Sequence, residues 1–210
     1  DYVWVTRQDM KAEKVKRHKA QFEYLKLKQQ VNPHFLFNSL NVLDCLICEN
    51  KNEDASLFVH KLSGMYRYML KNEIDTLIPL RDELAFVGMY TDLLKVRFSC
   101  GFEVRTDVPE EFMSFQVVPC SIQMLVENAL KHNRVSPGNP LYIDMVAKDN
   151  RFIVTNTISP RMASSEESTK VGLNYIRQQY IDLSGNDIEV IDDGKTYSVS
   201  LPLLPVQKTT

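Results

Sequence analysis

Leu36, Leu40, Leu43 and Ile47 fall at a 4-3-4 spacing, which puts them on one face of a helix. They lie in a stretch from residue 7 to 49 that has no Gly, a single Pro and an abundance of Lys, Gln, Glu and Leu, a composition that favours one long helix. A polar turn is expected around Asn50 to Asp54. A second helix follows, with Leu57, Phe58, Leu62, Met65, Tyr66 and Met69 on its apolar face. Such a helical hairpin has too little core alone, and pairing with a second copy would give a four-helix bundle.

A third helical pattern begins near Pro79, a residue suited to a first turn, and runs through Leu84, Val87, Tyr90 and Leu94 to Phe98. After Gly101 the period changes. β-prone runs occupy 102–107, 141–147, 151–155, 187–191 and 196–202, with helical segments at about 119–132 and 172–183 between them. Asp193-Gly194 reads as a hairpin turn, and residues 157–170 read as a mobile loop. The fold class is α+β: a dimerising hairpin at 1–76, then an α/β sandwich at 77–206.

Composition adds limits. Of the 210 residues, 44% are hydrophobic and 25% charged, as in ordinary globular domains. A net charge of -2 and a pI near 6.1 argue against direct nucleic-acid binding. No run approaches the roughly 18 apolar residues of a membrane helix, and no secretory leader opens the chain. The chain starts with Asp1, so a piece of something longer is expected. Tyr2, Val3 and Trp4 followed by Arg7, Lys11, Lys14, Lys16, Arg17 and Lys19 suit a position just inside a membrane-spanning segment; a solvated helix face is the alternative. Cys45 and Cys48 form a C-x-x-C without a second pair, so Cys45, Cys48, Cys100 and Cys120 are expected to be buried free thiols.

Two constellations carry chemistry. Pro33 inside a long helix removes a backbone hydrogen bond and bends it, which would expose the imidazole of His34. A neutral imidazole is a nucleophile near pH 7; an incidental Pro beside a surface His is the alternative. Asn38 at i+4 shares its side of the helix and is placed to hold a water near that nitrogen. In the second constellation, Asn128, Lys131 and His132 share a face of the helix that turns Ile122, Leu125 and Ala129 inward. With Glu127 they suit a Mg²⁺-phosphate ligand, although Glu127 and Lys131 also fit a plain surface ion pair.

The run from Gln30 to Asn41, with Asn32-Pro33-His34-Phe35-Leu36-Phe37-Asn38 at its centre, resembles the phosphoacceptor helix of the LytS-like sensor histidine kinases. Tyr66-Arg67-Tyr68, the Pro79–Leu84 run and Arg97-Phe98 are similar to that family too, and residues 125–132 resemble the N-box of the GHKL-type (Bergerat) ATPase domain. The resemblance implies ATP-dependent phosphorylation of His34, then transfer to an aspartate on a response regulator, of the LytTR type, in a two-component system. It implies that Asn128 ligates Mg²⁺, that Lys131 and His132 lie near the phosphates, and that Glu127 supports them. It also implies a homodimer forming the cytoplasmic portion of a bacterial inner-membrane protein, held there by segments upstream. Asn38 is a candidate for assisting dephosphorylation, and Asn72 to Thr76 for the joint that lets the ATPase part swing.

The chain departs from that pattern in two places. The segment Phe152–Pro160 has neither the Asp nor the Gly of the usual adenine-binding stretch, leaving Asn156 to accept from the adenine amine. Only Gly172, expected just before a helix, remains as a phosphate cradle. These losses motivate an alternative, a degenerate kinase acting as a dimeric platform for the regulator without ATP turnover.

Overall fold

The computed structural model describes residues 33–71, 77–98, 101–160 and 167–206. The aromatic and basic opening stretch, the helix before Pro33, the joint at 72–76, Cys100 and the middle of the 157–170 loop lie outside the described residues. In chain order the elements are α1 (Pro33–Cys48), α2 (Asn52–Lys71), β1 (Ile78–Pro79), α3 (Leu80–Phe98), β2 (Phe102–Asp107) and β3 (Gln116–Val117). Then come α4 (Ser121–His132), β4 (Leu141–Lys148), β5 (Arg151–Thr157), α5 (Glu167–Ser184), β6 (Glu189–Asp192) and β7 (Thr196–Pro202). The α+β class is thus as the periodicity predicts. Among the described residues no helix is long and apolar enough to cross a membrane.

The chain forms two compact units, one through Ala55 and one from Ser56 onward. In the first, α1 ends in a Schellman turn. Asn50 takes the left-handed conformation at φ 57, its N–H bonds to Ile47 O at 3.0 Å, and Lys51 N–H reaches Leu46 O at 2.9 Å. The turn is shorter than predicted, because Asn52, Glu53 and Asp54 already belong to α2. Glu53 and Asp54 stand in its first turn, where negative charge suits the positive end of the helix.

The second unit holds a five-stranded sheet in the order β2-β4-β5-β7-β6, in which only β2–β4 is parallel. Leu141, Ile143, Met145 and Ala147 of β4 and Phe152 and Val154 of β5 alternate onto a buried face, as one-sided sheets require. The link between β4 and β5 is Asp149-Asn150, both at positive φ (52 and 55), a two-residue turn whose twist matches the strands. The link Asp193-Gly194-Lys195 joins β6 and β7, with the turn at Asp193-Gly194 as expected, Gly194 at φ 79 and Asp193 Oδ1 accepting from the N–H groups of Lys195 and Thr196.

Over the buried face lies α4, which contacts α3, α5, β4 and β5. Ile122, Leu125, Val126, Ala129 and Leu130 are among its buried residues against that core, and burying a Val, Leu or Ile side chain stabilises by about 2 kcal/mol. α3 supplies Leu80, Phe86, Val87 and Tyr90. Pro79 does not open that helix. It stands one residue before it, paired with Gln116 in the short β1–β3 ladder, where its missing N–H costs little.

Candidate functional site

The side of α4 away from the core carries the second constellation. Asn128 and His132 are half-buried and Lys131 is exposed, as the helical spacing predicts. Glu127 accepts a hydrogen bond from Gln123 Nε2 at 2.9 Å, one turn earlier. Burial, with the nearby Glu127 charge adding, pushes the Tyr90 hydroxyl up, so it stays protonated beside them.

The structure brings Gly172 to Asn128. A Cβ on Gly172 would stand 3.8 Å from Asn128 Nδ2, 3.9 Å from its Oδ1 and 3.6 Å from Met124 Cε. Its setting differs from the expected one, however. α5 starts at Glu167, so Gly172 lies within the helix rather than before it. Only the first four N–H groups of a helix lack an intrahelical acceptor. Gly172 therefore does not offer the helix-start phosphate cradle that the sequence suggested; it lets α5 approach the amide of Asn128.

Asn156 is buried on the inner face of β5, the strand on which α4 packs. Its Nδ2 donates to Thr157 O at 2.8 Å, which commits the amide nitrogen and orients the group. His34 is the second residue of α1 and Asn38, half-buried, lies one turn on in the same helix. Cys45 and Cys48 are free, as predicted, but exposed rather than buried, because they fall off the inner side of α1; Cys120 is half-buried. Among the described residues no group of three or more His, Cys, Asp or Glu is placed to hold a metal ion. A Mg²⁺ bound with nucleotide needs no such group, since it takes one or two protein oxygens and fills its shell with phosphate and water. Asn128 Oδ1 is a fitting donor of that kind.

Residues that the sequence reading did not single out hold both ends of α4. At the C-terminal end, Asn133 is buried. Its Nδ2 donates to Ala129 O at 2.9 Å, and its Oδ1 accepts from Ser159 N–H at 2.6 Å. Arg134 N–H also bonds Ser159 O at 2.7 Å, so the segment following β5 is fastened to the end of α4. At the N-terminal end, Glu83 of α3 accepts from Cys120 N–H at 2.9 Å, Ile122 N–H at 3.1 Å and the Tyr68 hydroxyl at 2.9 Å. Complete burial pushes the Glu83 carboxyl up to about 7, against the lowering effect of those hydrogen bonds. A visible signal existed: Leu80, Glu83, Val87, Tyr90 and Leu94 repeat at 3-4-3-4, placing a carboxylate on an apolar stripe.

The family model for Histidine kinase matches residues 22–102. Sensor protein LytS of Enterococcus faecalis is 29% identical over 198 residues, covering 83% of this chain and 33% of that protein. Sensor protein LytS of Bacillus cereus is 40% identical over 106 residues, 50% of this chain and 18% of that protein. Sensor histidine kinase BtsS of Escherichia coli K12 is 38% identical over 120 residues, 57% of this chain and 21% of that protein. The chain thus spans a third or less of the length of each of these relatives. Among solved structures, the cytoplasmic segment of histidine kinase QseC aligns with a TM-score of 0.44 at 16% identity, over 73% of this chain and 94% of that one, a similarity too loose to add to the fold seen directly.

Proposed function

From the premise that this chain is a LytS-like member of the histidine kinases, we propose that it is the catalytic portion of a sensor kinase that phosphorylates itself on His34. The unprotonated ring nitrogen of His34 attacks the γ-phosphorus of ATP, the bond from that phosphorus to the β–γ bridging oxygen breaks, ADP leaves, and the other ring nitrogen gives up its proton to solvent. The phosphoryl group then passes to an aspartate of a response regulator. Such transfers depend on positioning and on neutralising charge, not on covalent help from the protein.

The observation that carries this reading is the face of α4: Asn128, half-buried and approached by Gly172, with Lys131 and His132 in the following turn. In this reading Asn128 holds the Mg²⁺ that neutralises phosphate charge, Lys131 and His132 attend the phosphates, and Glu127 supports them through its bond to Gln123. The Nδ2 bond to Thr157 commits the Asn156 nitrogen, and its oxygen then serves as acceptor for the adenine amine. Phe37, Leu40 and Ile47 on α1 and Leu57 on α2 are exposed, and a second copy of the chain would cover them. The working division is a hairpin through residue 76 and an ATPase part from 77 to 206. The regulator is of the LytTR type, and upstream segments would tether this part to the inner face of the membrane.

Incubation with γ-labelled ATP tests the reading: label is expected on the native chain and absent from His34→Gln. Label that persists in that variant would refute His34 as the acceptor. A second reading is favoured by Gly172 lying inside α5 and by Asn156 standing where the fold usually has an Asp. It makes the chain a regulator-binding platform without ATP turnover. Titration calorimetry with Mg²⁺ and ATP separates the two, since the platform gives no heat at millimolar nucleotide.

A further inference from the structure

α4 starts without a cap of its own. Its N-cap residue, Cys120, takes the left-handed conformation (φ 61, ψ 5) and makes no side-chain cap hydrogen bond. The first N–H groups of a helix need acceptors, and Ser, Thr, Asp or Asn at the N-cap usually supplies one locally. Here the acceptor comes from a different helix. Glu83 Oε2 takes Cys120 N–H and Oε1 takes Ile122 N–H. The same Oε2 also takes the hydroxyl of Tyr68, in the last turn of α2, whose ring stacks on Phe86 with centroids 4.3 Å apart and planes at 13°. A fully buried carboxyl group is a costly cap compared with a serine at position 120. What it does that a serine cannot is join the end of α2 to the start of α4 through one group.

We propose that Tyr68 and Glu83 are positioning residues that fix α4, and with it Asn128, relative to the end of α2, so that a displacement of α2 is transmitted to the nucleotide-binding face. The nucleotide part of this inference rests on the kinase reading above. The mechanical part does not. α2 follows directly on the helix that bears His34, so a signal altering the helical part would reach the ATPase part through the Tyr68 hydroxyl as well as along the chain.

Tyr68→Phe is the probe, because it removes one oxygen and keeps the ring on Phe86. Hydrogen exchange on the intact chain, without nucleotide, is expected to quicken about tenfold at the amides of Cys120 and Ile122 when Glu83 loses that donor. For His34 phosphorylation, KM for ATP is expected to rise several-fold while kcat changes less than about twofold. A merely structural role would lower kcat with the folded fraction and leave KM alone. Glu83→Gln is expected to exceed Tyr68→Phe on both readouts, and the double variant to match Glu83→Gln alone, because both act through one group. Unchanged exchange at those two amides in Tyr68→Phe overturns the proposal, as does an unchanged KM. Should the native chain not phosphorylate at all, the kinase reading falls, and the exchange measurement alone decides the coupling.

Discussion

The side chain of Asn133 closes the end of α4 and grips Ser159 at once: Nδ2 donates to Ala129 O, while Oδ1 accepts from Ser159 N–H at 2.6 Å. Asn133→Ala takes from Ser159 N–H its acceptor and leaves Ala129 O with the backbone N–H of residue 133 alone. It is expected to lower the unfolding free energy by about 1–3 kcal/mol in a urea titration. Exchange at the Ser159 amide should rise with it. An unaffected Ser159 amide would mean that the Arg134 bond to Ser159 O holds the segment without help.

Gly172 faces ordinary contact distances, 3.6 Å to Met124 and 3.8 Å to Asn128, so one methyl group fits. Gly172→Ala is therefore expected to stabilise the fold by about 0.5–1 kcal/mol, because Gly within a helix costs backbone entropy. Thermal unfolding reads this directly. Gly172→Leu has no such room and is expected to displace Asn128 and weaken binding of ATP with Mg²⁺. Equal nucleotide affinity in the Leu variant would detach Asn128 from the binding face.

Glu83 gives stability a pH dependence of definite sign. The folded carboxyl keeps its proton up to about pH 7, whereas the unfolded chain loses it near 4.5. Facing it are the hydroxyls of Tyr68 and Tyr180 and the backbone N–H groups of Cys120, Ile122 and Gln123. Between those two pH values the folded state binds more protons, so this contribution is full below 4.5 and is lost as the pH rises through 7. The loss is of order 3 kcal/mol. Urea unfolding at several pH values should show that decline in the native chain and a flatter profile in Glu83→Gln. Parallel profiles would assign the slope to other groups.

Asn128→Ala is expected to weaken binding of ATP with Mg²⁺ at least about tenfold, the scale of one hydrogen bond or ligand contact to a charged group. Urea unfolding should show little change, since Asn128 lies on the side of α4 away from the core. Asn38→Ala is expected to lengthen the lifetime of the phosphorylated regulator in the presence of the chain, and an unaltered lifetime would remove Asn38 from that role.

Much of this was legible in the chain. β2 and β7 have the bounds of the β-prone runs, and the inward Ile122, Leu125 and Ala129 are set against Asn128 and Lys131 as the helical spacing predicts. Local period carries that information, because a residue's face follows from its neighbours three or two positions away. The start of α5 was not legible. Residues 167–171 are Glu, Ser, Thr, Lys and Val, weak in apolar period, and their helix grows from packing further along at Ile176 and Tyr180. The cap on α4 was hidden for a related reason. Glu83 and Cys120 are far apart in sequence, and no local rule pairs them. The Asp149-Asn150 turn carries a signal in the sequence, two residue types that tolerate positive φ.

The parallel pairing of β2 with β4 bears on the order in which the molecule is assembled. β4 and β5 are joined by Asp149-Asn150 alone and can pair as soon as both are made. β2 leaves synthesis early, yet its neighbour appears only after everything from Val108 to Pro140 has followed. Closing so long a span costs entropy before any contact repays it, which makes this pairing slow. A nascent chain that stops short of Leu141 holds α4 with no sheet beneath it, so the surface bearing Asn128 is a late product of folding.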